Sequence, residues 1–403
     1  MSGFHWQRFE LTDELNESIE SLRPVLQETE VTAEQDRRLP AAAVEALRES
    51  GMLQVASPRS TGGLEASPLL EFEIYEAVSR IATAAGWTTF IGSFHTGWVL
   101  SHVSDKALKE MFADAEAPIV AGQLAPMGRA IAERGGIRVT GRYSWGSGIN
   151  HATWVMGGTI VGEPEPAQRP PMFVWVAPKS QVEVTDNWFV SGLSGSGSMD
   201  FAVNDLFIPD GYWFPYVAPK VYRGGEHYAA PLLLQVVPAH GGLALGAAER
   251  ALGEIARIAA TKRRQLSTTT VADRGAFQRD LGAAYHRLSA ARAYIVELLT
   301  ALSSTDWSNT ENLDELATTY VGALTYVTEV AVETAAFAYK YGGGSAARLE
   351  SPLQRILRDL QVAQQHTALA DTSYEATGRW AIDLSGDTQG AVVNNGAPKM
   401  VRS

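Results

Sequence analysis

Histidine, serine and arginine are the side chains in this sequence that could carry chemistry, and His366 is the strongest candidate. It follows Arg355 and Asp359 at helical spacing. Imidazole exchanges protons near neutrality because its unperturbed pKa is about 6.5. The same spacing is typical of a solvated polar stripe on a helix, and the spacing alone favours that alternative. His151 and His240 stand beside glycines in turn-like or small-residue segments, and we interpret both as structural.

Two further segments suit an anionic ligand. Ser196 and Ser198 lie in the word Leu-Ser-Gly-Ser-Gly-Ser, whose backbone N–H groups could surround a phosphate, although an ordinary β turn has the same composition. Arg264 closes the triplet Lys-Arg-Arg, and a guanidinium donates to a phosphate in a bidentate fork. The alternative is a basic helix C-terminus, which the helix dipole favours, and Lys262 or Arg263 could take the place of Arg264.

The composition excludes several other kinds of site. The chain has 403 residues and no cysteine, which excludes disulfides, thiolate zinc sites, iron–sulfur clusters and cysteine nucleophiles, and which fits a cytoplasmic protein. A net charge of −12 argues against nucleic-acid binding, and no run of about 18 uninterrupted apolar residues indicates a membrane span. There is no G-x-G-x-x-G after a predicted strand and no nucleophile elbow. The histidines lack clustered carboxylates at metal-binding spacing, so we expect no metal site.

Helical and β patterns alternate in blocks that must position these residues. Residues 1–118 have the spacing of helices, one of which starts at Pro40 and stops at Gly51. Residues 119–228 contain β-branched and aromatic runs punctuated by glycine, proline and asparagine, which predicts short antiparallel strands. Residues 229–384 predict long amphipathic helices.

The last helical block and the tail complete the predicted organisation. The block contains four long helices, and the fourth opens at Ser351-Pro352 and runs to about Gly378. Residues 385–403 read as a loosely held tail. The predicted fold class is therefore α+β, with an N-terminal helical domain, a central antiparallel β-barrel-like domain and a C-terminal four-helix bundle.

Several sequence motifs, and their order along the chain, resemble those of the acyl-CoA dehydrogenase superfamily. The resemblance covers nearly the whole chain. It rests on the helix and Pro…Gly-Gly loop at 39–63, the strand word Gly-Arg-Tyr-Ser-Trp-Gly-Ser at 141–147, the stretches 188–198 and 203–209, and the bundle motifs at 263–266 and 353–359. Two departures separate the chain from the dehydrogenases. The usual Thr-Glu-Pro word is Leu-Ala-Pro here, and 361–367 lack the carboxylate that would take the α-proton of a thioester.

The chain is more similar to the two-component flavin monooxygenase branch of this superfamily. That resemblance implies a C4a-hydroperoxyflavin, formed from reduced FMN or FAD and O₂, that hydroxylates a small and often aromatic molecule. A separate NAD(P)H:flavin reductase supplies the flavin, and the family forms homotetramers through the bundle. An acyl-CoA dehydrogenase or oxidase with its base elsewhere, and a non-catalytic flavin-binding paralogue, remain as alternatives.

The resemblance also assigns cofactor-binding roles to individual residues. Ser147 matches a hydroxyl that binds the N5 edge of the flavin, and Trp145 matches an aromatic beside the ring, although it fits the β-domain core equally well. Arg264 matches the bundle arginine that reaches the flavin phosphate, often across a subunit interface. Ser196 and Ser198 would contact the phosphate or the ribityl chain.

The catalytic roles implied by the resemblance fall on His366, Ser147 and His95. His366 would bind or deprotonate a substrate hydroxyl, or protonate the leaving peroxide. His95 stands where similar monooxygenases place a polar residue towards the substrate, and a buried core histidine is an equal alternative. Several aromatic residues could line a pocket for an aromatic molecule or form an ordinary core. They are Trp87, Phe94, Trp98, Phe214 and Tyr216.

Overall fold

The structure is a computed structural model that describes residues 6–113, 116–162, 171–217, 219–305, 307 and 313–384. The predicted tail at 385–403 lies outside the described residues. Along the described chain, seven helices are followed by seven strands and then by six further helices.

The N-terminal helices form as their end signals predict. Proline occupies the N-cap of the helix Ala41–Glu49, and Gly51 follows it with φ +75°. Ser67 caps the helix Pro68–Ile81 by accepting the N–H of Leu70 at 3.1 Å. In chain order these helices are α1 Asp13–Ser21, α2 Arg23–Glu28, α3 Glu30–Asp36, α4 Ala41–Glu49, α5 Pro68–Ile81, α6 Thr83–His102 and α7 Asp105–Met111. Every residue of α6 is buried, so this helix forms the centre of the domain.

The central strands form one seven-stranded sheet in the order β5-β6-β2-β1-β3-β4-β7. They are β1 Val120–Glu133, β2 Gly136–Gly146, β3 Trp154–Val161, β4 Met172–Pro178, β5 Glu183–Thr185, β6 Met199–Pro209 and β7 Trp213–Pro215. The prediction of a purely antiparallel sheet is wrong at one pair, because β1 and β3 run parallel, with Val120 opposite Trp154. The pairing is parallel because the chain leaves β2 and crosses to the far side of β1 before β3 begins. The sequence could not show this, because side chains alternate in the same way in parallel and antiparallel strands.

The C-terminal helices share one hydrophobic core. They are α8 Leu232–Gln235, α9 Val237–Thr261, α10 Gly275–Ser303, α11 Leu313–Gly342, α12 Pro352–Ala363 and α13 Thr372–Leu384. Leu252, Leu288, Leu324 and Leu360, one from each of four long helices, lie within that core. On its other side α9 packs closely against α5, where a Cβ at Gly246 would stand 2.1 Å from the backbone oxygen of Glu76.

The helix that opens at Ser351-Pro352, α12, is shorter than predicted. α12 ends at Ala363, and the chain leaves helical geometry at His366, which has φ −66° and ψ 138° and precedes a 3₁₀ turn over Thr367–Leu369. The predicted continuous helix to about Gly378, and with it a helical stripe shared by His366, Arg355 and Asp359, are therefore wrong. Neither glycine nor proline marks the break.

Buried ion pairs tie the N-terminal helices to the C-terminal ones. Arg250 on α9 binds both carboxylate oxygens of Glu30 on α3, at 2.6 and 2.9 Å. Arg355 on α12 reaches Glu30 at 3.2 Å and Glu34 at 2.8 Å. Each charge in this network has an opposite partner, so the contact fixes α3 on the helices that carry the candidate site.

Two described segments, Leu232–Thr261 and Leu316–Ala347, are long and apolar enough by length and composition to cross a membrane. Most of each segment is buried inside the protein, a property that the core helices of soluble proteins share.

Candidate active site

A chain of buried hydroxyl groups forms where β2 ends. The indole Nε1 of Trp87 on α6 donates to Ser147 Oγ at 3.0 Å. Ser147 Oγ is 2.7 Å from Ser198 Oγ, and Ser198 Oγ is 2.7 Å from Ser196 Oγ. All three serines are buried. The structure therefore brings together three of the serines that the sequence singles out and joins them to a tryptophan of the N-terminal domain.

The glycine-rich loop that carries Ser196 and Ser198 is pressed onto its surroundings. Leu193 donates its N–H to Asp359 Oδ1 on α12 at 2.6 Å. A Cβ at Gly192 would stand 2.2 Å from the backbone oxygen of Arg358, so only glycine fits there. The loop and α12 are thus held in direct contact, and Asp359 anchors the start of the serine segment.

Three backbone donors of this loop have partners within the protein. The N–H groups of Ser196 and Gly197 bind the carbonyls of Leu193 and Ser194, and the N–H of Leu193 binds Asp359. A phosphate cradle built from these three amides is therefore not available in this geometry. The hydroxyl groups of the loop and its other backbone N–H groups remain as its means of contacting a ligand.

Two histidines from separate segments lie beside Trp87, and a third, His95, is buried further along α6. The ring of His366 lies 4.4 Å from that of His240 and 6.1 Å from that of Trp87, measured between centroids. His240 on α9 is also 5.5 Å from Trp87. His95 on α6 is buried, and the charge of His366 is a secondary cause of its lowered pKa.

His240 was interpreted as structural from the sequence, yet it lies in this cluster. Its contact with His366 arises because α9 packs closely on the N-terminal helices, where glycines replace larger residues. The sequence His-Gly-Gly at 240–242 indicates a close approach between helices, but it does not predict which residue the histidine contacts.

Burial keeps all three imidazoles neutral at pH 7. It lowers the pKa of His366 to about 4. Burial, and secondarily the nearness of His366, lower the pKa of His95 to about 3, and the same two causes hold the pKa of His240 well below its ordinary value. Since the charged form is disfavoured, these rings act at neutral pH as hydrogen-bonding groups rather than as cations.

The hydrogen bonds of His366 define which ring nitrogen carries the proton. Its Nδ1 accepts the backbone N–H of Ala368 at 3.2 Å. In a neutral imidazole with Nδ1 as acceptor, the proton sits on Nε2. In this geometry His366 therefore presents an N–H donor at Nε2.

Several buried nitrogen atoms of the site have no partner among the described residues. They include the Nδ1 atoms of His95 and His240 and the Nδ2 atom of Asn150, which faces the serine loop at Gly197. A buried polar atom without a partner costs stability unless a ligand or water completes it. These atoms, together with the serine hydroxyls, fit a polar cofactor or substrate.

The other two candidates lie outside this cluster. Trp145 is 64% exposed at the end of β2 and adopts a φ of +65°, so it does not belong to the β-domain core. Arg264 is exposed beyond the end of α9, and among the described residues no side-chain hydrogen bond or ion pair joins it to the serine row or the histidines. Its neighbour Lys262 is engaged by the carbonyl of Gly342 and by Ser345 Oγ.

An apolar pocket opens at Phe94 of α6, the residue before His95. Its empty space of about 450 Å³ includes open solvent, and about 30 Å³ of it is cavity that a water-sized molecule can occupy. Phe94 and Trp98 of α6 line it, as do Tyr228 and Glu71, and the ring of Phe94 is 5.7 Å from that of His95. Phe94 and Trp98 belong to the aromatic set that the sequence left open between pocket and core. Phe214 and Tyr216 pack against Trp98, at 5.1 and 6.4 Å between ring centroids, and do not line the pocket.

Comparison with known proteins places this geometry among flavin-dependent oxygenases. The family model of the acyl-CoA dehydrogenase C-terminal domain matches residues 239–371. A "Pigment production hydroxylase" of Rhodococcus sp. (strain ATCC 21145) is 30% identical over 387 residues, which cover 92% of this chain and 97% of the relative. The "Flavin-dependent monooxygenase, oxygenase subunit HsaA" of Mycobacterium tuberculosis (strain ATCC 25618 / H37Rv) is 30% identical over 209 residues, 52% of each chain.

Solved structures share the fold. "XiaF from Streptomyces sp. in complex with FADH2 and Glycerol" superposes with a TM-score of 0.83 at 22% identity, over 95% of this chain and 98% of that one. The HsaA monooxygenase from M. tuberculosis superposes with a TM-score of 0.80 at 23% identity, over 92% and 97% of the two chains.

Proposed function

Since this chain belongs to the two-component flavin-dependent monooxygenases of the acyl-CoA dehydrogenase superfamily, we propose that it is an oxygenase component that hydroxylates a small aromatic molecule. The observation that carries the proposal is the meeting of the Trp87–Ser147–Ser198 hydroxyl chain with neutral imidazoles in one buried site. Relatives named as oxygenase subunit or oxygenase component support delivery of reduced flavin by a separate NAD(P)H:flavin reductase.

The residues of the site fit reduced FMN or FAD. Ser147, Ser196 and Ser198 offer hydroxyl groups in a buried row, and Asn150 adds an unpartnered nitrogen beside them. Trp145 exposes a large aromatic surface at the end of the same strand, where a flavin ring would find a stacking partner. When bound, the reduced flavin supplies the two electrons with which O₂ is activated for oxygen insertion.

His366 is the proposed proton-handling residue. Its Nε2 holds a proton while Nδ1 is fixed by Ala368, so the ring donates at Nε2 to an oxygen of the reacting partners. This geometry favours donation over proton abstraction, because a base at Nε2 would need the proton to sit on Nδ1. His95 and His240 are proposed to line the same space as neutral polar groups.

Arg264 and the assembly form the second part of the proposal. Because Arg264 is exposed and has no bond to the serine row among the described residues, we propose that it meets a flavin phosphate across a subunit interface of a homotetramer. The proposed units are a helical domain at 1–118, a β-barrel-like domain at 119–228 and a four-helix bundle at 229–384 that forms the interface. We propose a cytoplasmic location, with no nucleic-acid or membrane partner.

The test compares His366→Ala with His286→Ala, a matched variant of an exposed histidine on α10. Each protein receives FMN or FAD from a reductase, NADH and a phenol panel, and both hydroxylated product and H₂O₂ are quantified. We expect His366→Ala to bind reduced flavin as the wild type does and to form product about 100-fold or more slowly, with H₂O₂ rising in its place. His286→Ala should match the wild type.

Two outcomes would contradict the proposal. Coupled hydroxylation at the wild-type rate in His366→Ala would remove that residue from its role. Bleaching of protein-bound FAD by an acyl-CoA, with no oxygenated product from any phenol, would favour the dehydrogenase alternative. The absence of a carboxylate within 361–367 weighs against that alternative.

A further inference from the structure

Glu71 is a buried carboxyl group in the wall of the apolar pocket. It lies in the first turn of α5 and is 8% exposed. No hydrogen bond and no ion pair joins its side chain to any residue in the part of the chain that the structure describes. A buried carboxyl group without a partner is costly, so its presence here needs an explanation.

The other buried carboxyl groups of the described chain all have partners. Glu30 binds Arg250, Glu73 accepts the N–H groups of residues 9–11, Glu76 binds Arg292, Glu249 binds Arg80, and Asp359 accepts the N–H of Leu193. Glu71 is the exception among them. The difference points to a partner that comes from outside the chain.

The walls around Glu71 are aromatic and aliphatic. Phe94, Trp98 and Tyr228 supply ring surfaces, and the lining contains no lysine or arginine among the described residues. Aromatic faces attract an organic cation through their quadrupoles, most strongly where water is excluded. A carboxyl group amid aromatic rings is therefore complementary to an ammonium group.

We propose that this pocket binds the amino group of the substrate as an ammonium ion, held by the carboxylate of Glu71 and the rings of Phe94, Trp98 and Tyr228. The inference rests on the proposed hydroxylase function and adds a substrate class to it, namely a compact aromatic amine. Phe94 lines the pocket, and its ring lies 5.7 Å from that of the next residue, His95, so the pocket wall and this histidine share one turn of α6.

Protonation links the pocket to its ligand. Burial raises the pKa of Glu71 to about 8, which outweighs the preference of a first helical turn for a charged carboxylate. The titratable groups that face it are Tyr75 on α5 and Tyr228 and His227 from the segment before α8, and none of them is a cation at neutral pH. An ammonium ligand therefore binds the ionised carboxylate and expels its proton.

The test uses matched pairs of amine and alcohol, namely benzylamine with benzyl alcohol, tyramine with tyrosol, and tryptamine with tryptophol. Titration calorimetry on flavin-free protein compares the wild type, Glu71→Gln and the control Glu28→Gln, which alters an exposed carboxylate on α2. We expect at least one amine to bind about tenfold or more tightly than its alcohol at pH 8. Glu71→Gln should lose that preference, and Glu28→Gln should keep it.

Proton release distinguishes an ion pair from simple shape recognition. With a pKa of about 8, Glu71 is about nine-tenths protonated at pH 7, so wild-type protein should release about 0.9 proton per bound amine, read from two buffers of different ionisation enthalpy. Amine affinity should rise about 15-fold from pH 6.5 to pH 8. In Glu71→Gln, both the proton release and this rise should vanish.

The outcomes separate the two proposals. Equal binding of amine and alcohol in all three pairs, or unchanged amine affinity in Glu71→Gln, would overturn the ammonium site whatever the protein oxidises. Because binding is measured without flavin, an amine that binds through Glu71 supports the site even if turnover fails. A failure to hydroxylate any phenol in the reductase-coupled assay would instead count against the proposed function.

Discussion

Replacing His95 by asparagine should make the protein less sensitive to acid. His95 is buried on α6, its Nδ1 has no partner among the described residues, and burial lowers its pKa to about 3. In the unfolded chain a histidine has a pKa of about 6.5. Between those values the unfolded state binds the proton more readily, so the folded state loses stability as the pH falls below 6.5.

The size of the effect follows from the two pKa values. At pH 5 the unfolded histidine is almost fully protonated and the folded one is not. Because pH 5 lies about 1.5 units below the pKa of the unfolded histidine, the free energy of unfolding is about 2 kcal/mol lower than at pH 7.5. Asparagine does not titrate, so the variant avoids this cost. The quantity to compare is the change in the free energy of unfolding between the two pH values, which cancels any constant packing cost of the substitution.

Urea titrations of flavin-free protein, followed by tryptophan fluorescence at pH 7.5 and pH 5.0, measure this change at fixed protein concentration. The wild type should lose about 2 kcal/mol more than His95→Asn. His286→Asn, on an exposed surface of α10, should behave as the wild type does. If His95→Asn and the wild type lose the same free energy, His95 takes up its proton freely in the folded state, and the dry neutral cluster described above does not exist.

Two further perturbations test the support of the site. Asp359→Ala leaves the N–H of Leu193 buried without its acceptor, so the free energy of unfolding should fall by about 1–3 kcal/mol. Reduced flavin should also bind more weakly to this variant. Unchanged flavin affinity would mean that Asp359 does not hold the serine loop. Trp87→Phe keeps an aromatic side chain, although a smaller one, and removes the indole N–H that donates to Ser147. The loss of about 1 kcal/mol in the orientation of Ser147 should lower the ratio of product to H₂O₂ about fivefold. An unchanged ratio would show that this hydrogen bond does not position Ser147.

Much of the fold was predictable from local signals. The helix between Pro40 and Gly51 and the strand Trp154–Val161 form where the end residues and the β-branched run predict them. Strand direction was not predictable, because alternating burial is identical for parallel and antiparallel partners, and the parallel pairing of β1 with β3 depends on where the chain crosses. The end of α12 also escaped prediction, because residues 364–371 include no helix-breaking glycine or proline.

The candidate site was predictable in its members more than in its geometry. Resemblance to the family brought forward Ser147, Ser196, Ser198 and His366, and the structure places the serines in one hydrogen-bonded row beside the histidine. His240 and Glu71 could not be found from spacing, because their importance lies in what other helices bring near them. A histidine is recognisable as a site residue only when its partners are known, and here those partners come from three separate segments.

The neutrality of the histidines and the solitary acid at Glu71 are connected. Every other buried carboxyl group of the described chain is bound to an arginine or to backbone N–H groups. Burial alone lowers the pKa of His366. If His366 or His95 were charged, it would compete with an ammonium ligand for the field of Glu71 and would repel the ligand from the site. With neutral imidazoles, an ammonium ligand meets no opposing charge at the histidines, and its attraction comes from Glu71 once that group has lost its proton. In this proposal the carboxylate of Glu71 binds the ammonium group of an amine substrate, and the neutral histidines are left to form hydrogen bonds and transfer protons at its aromatic ring.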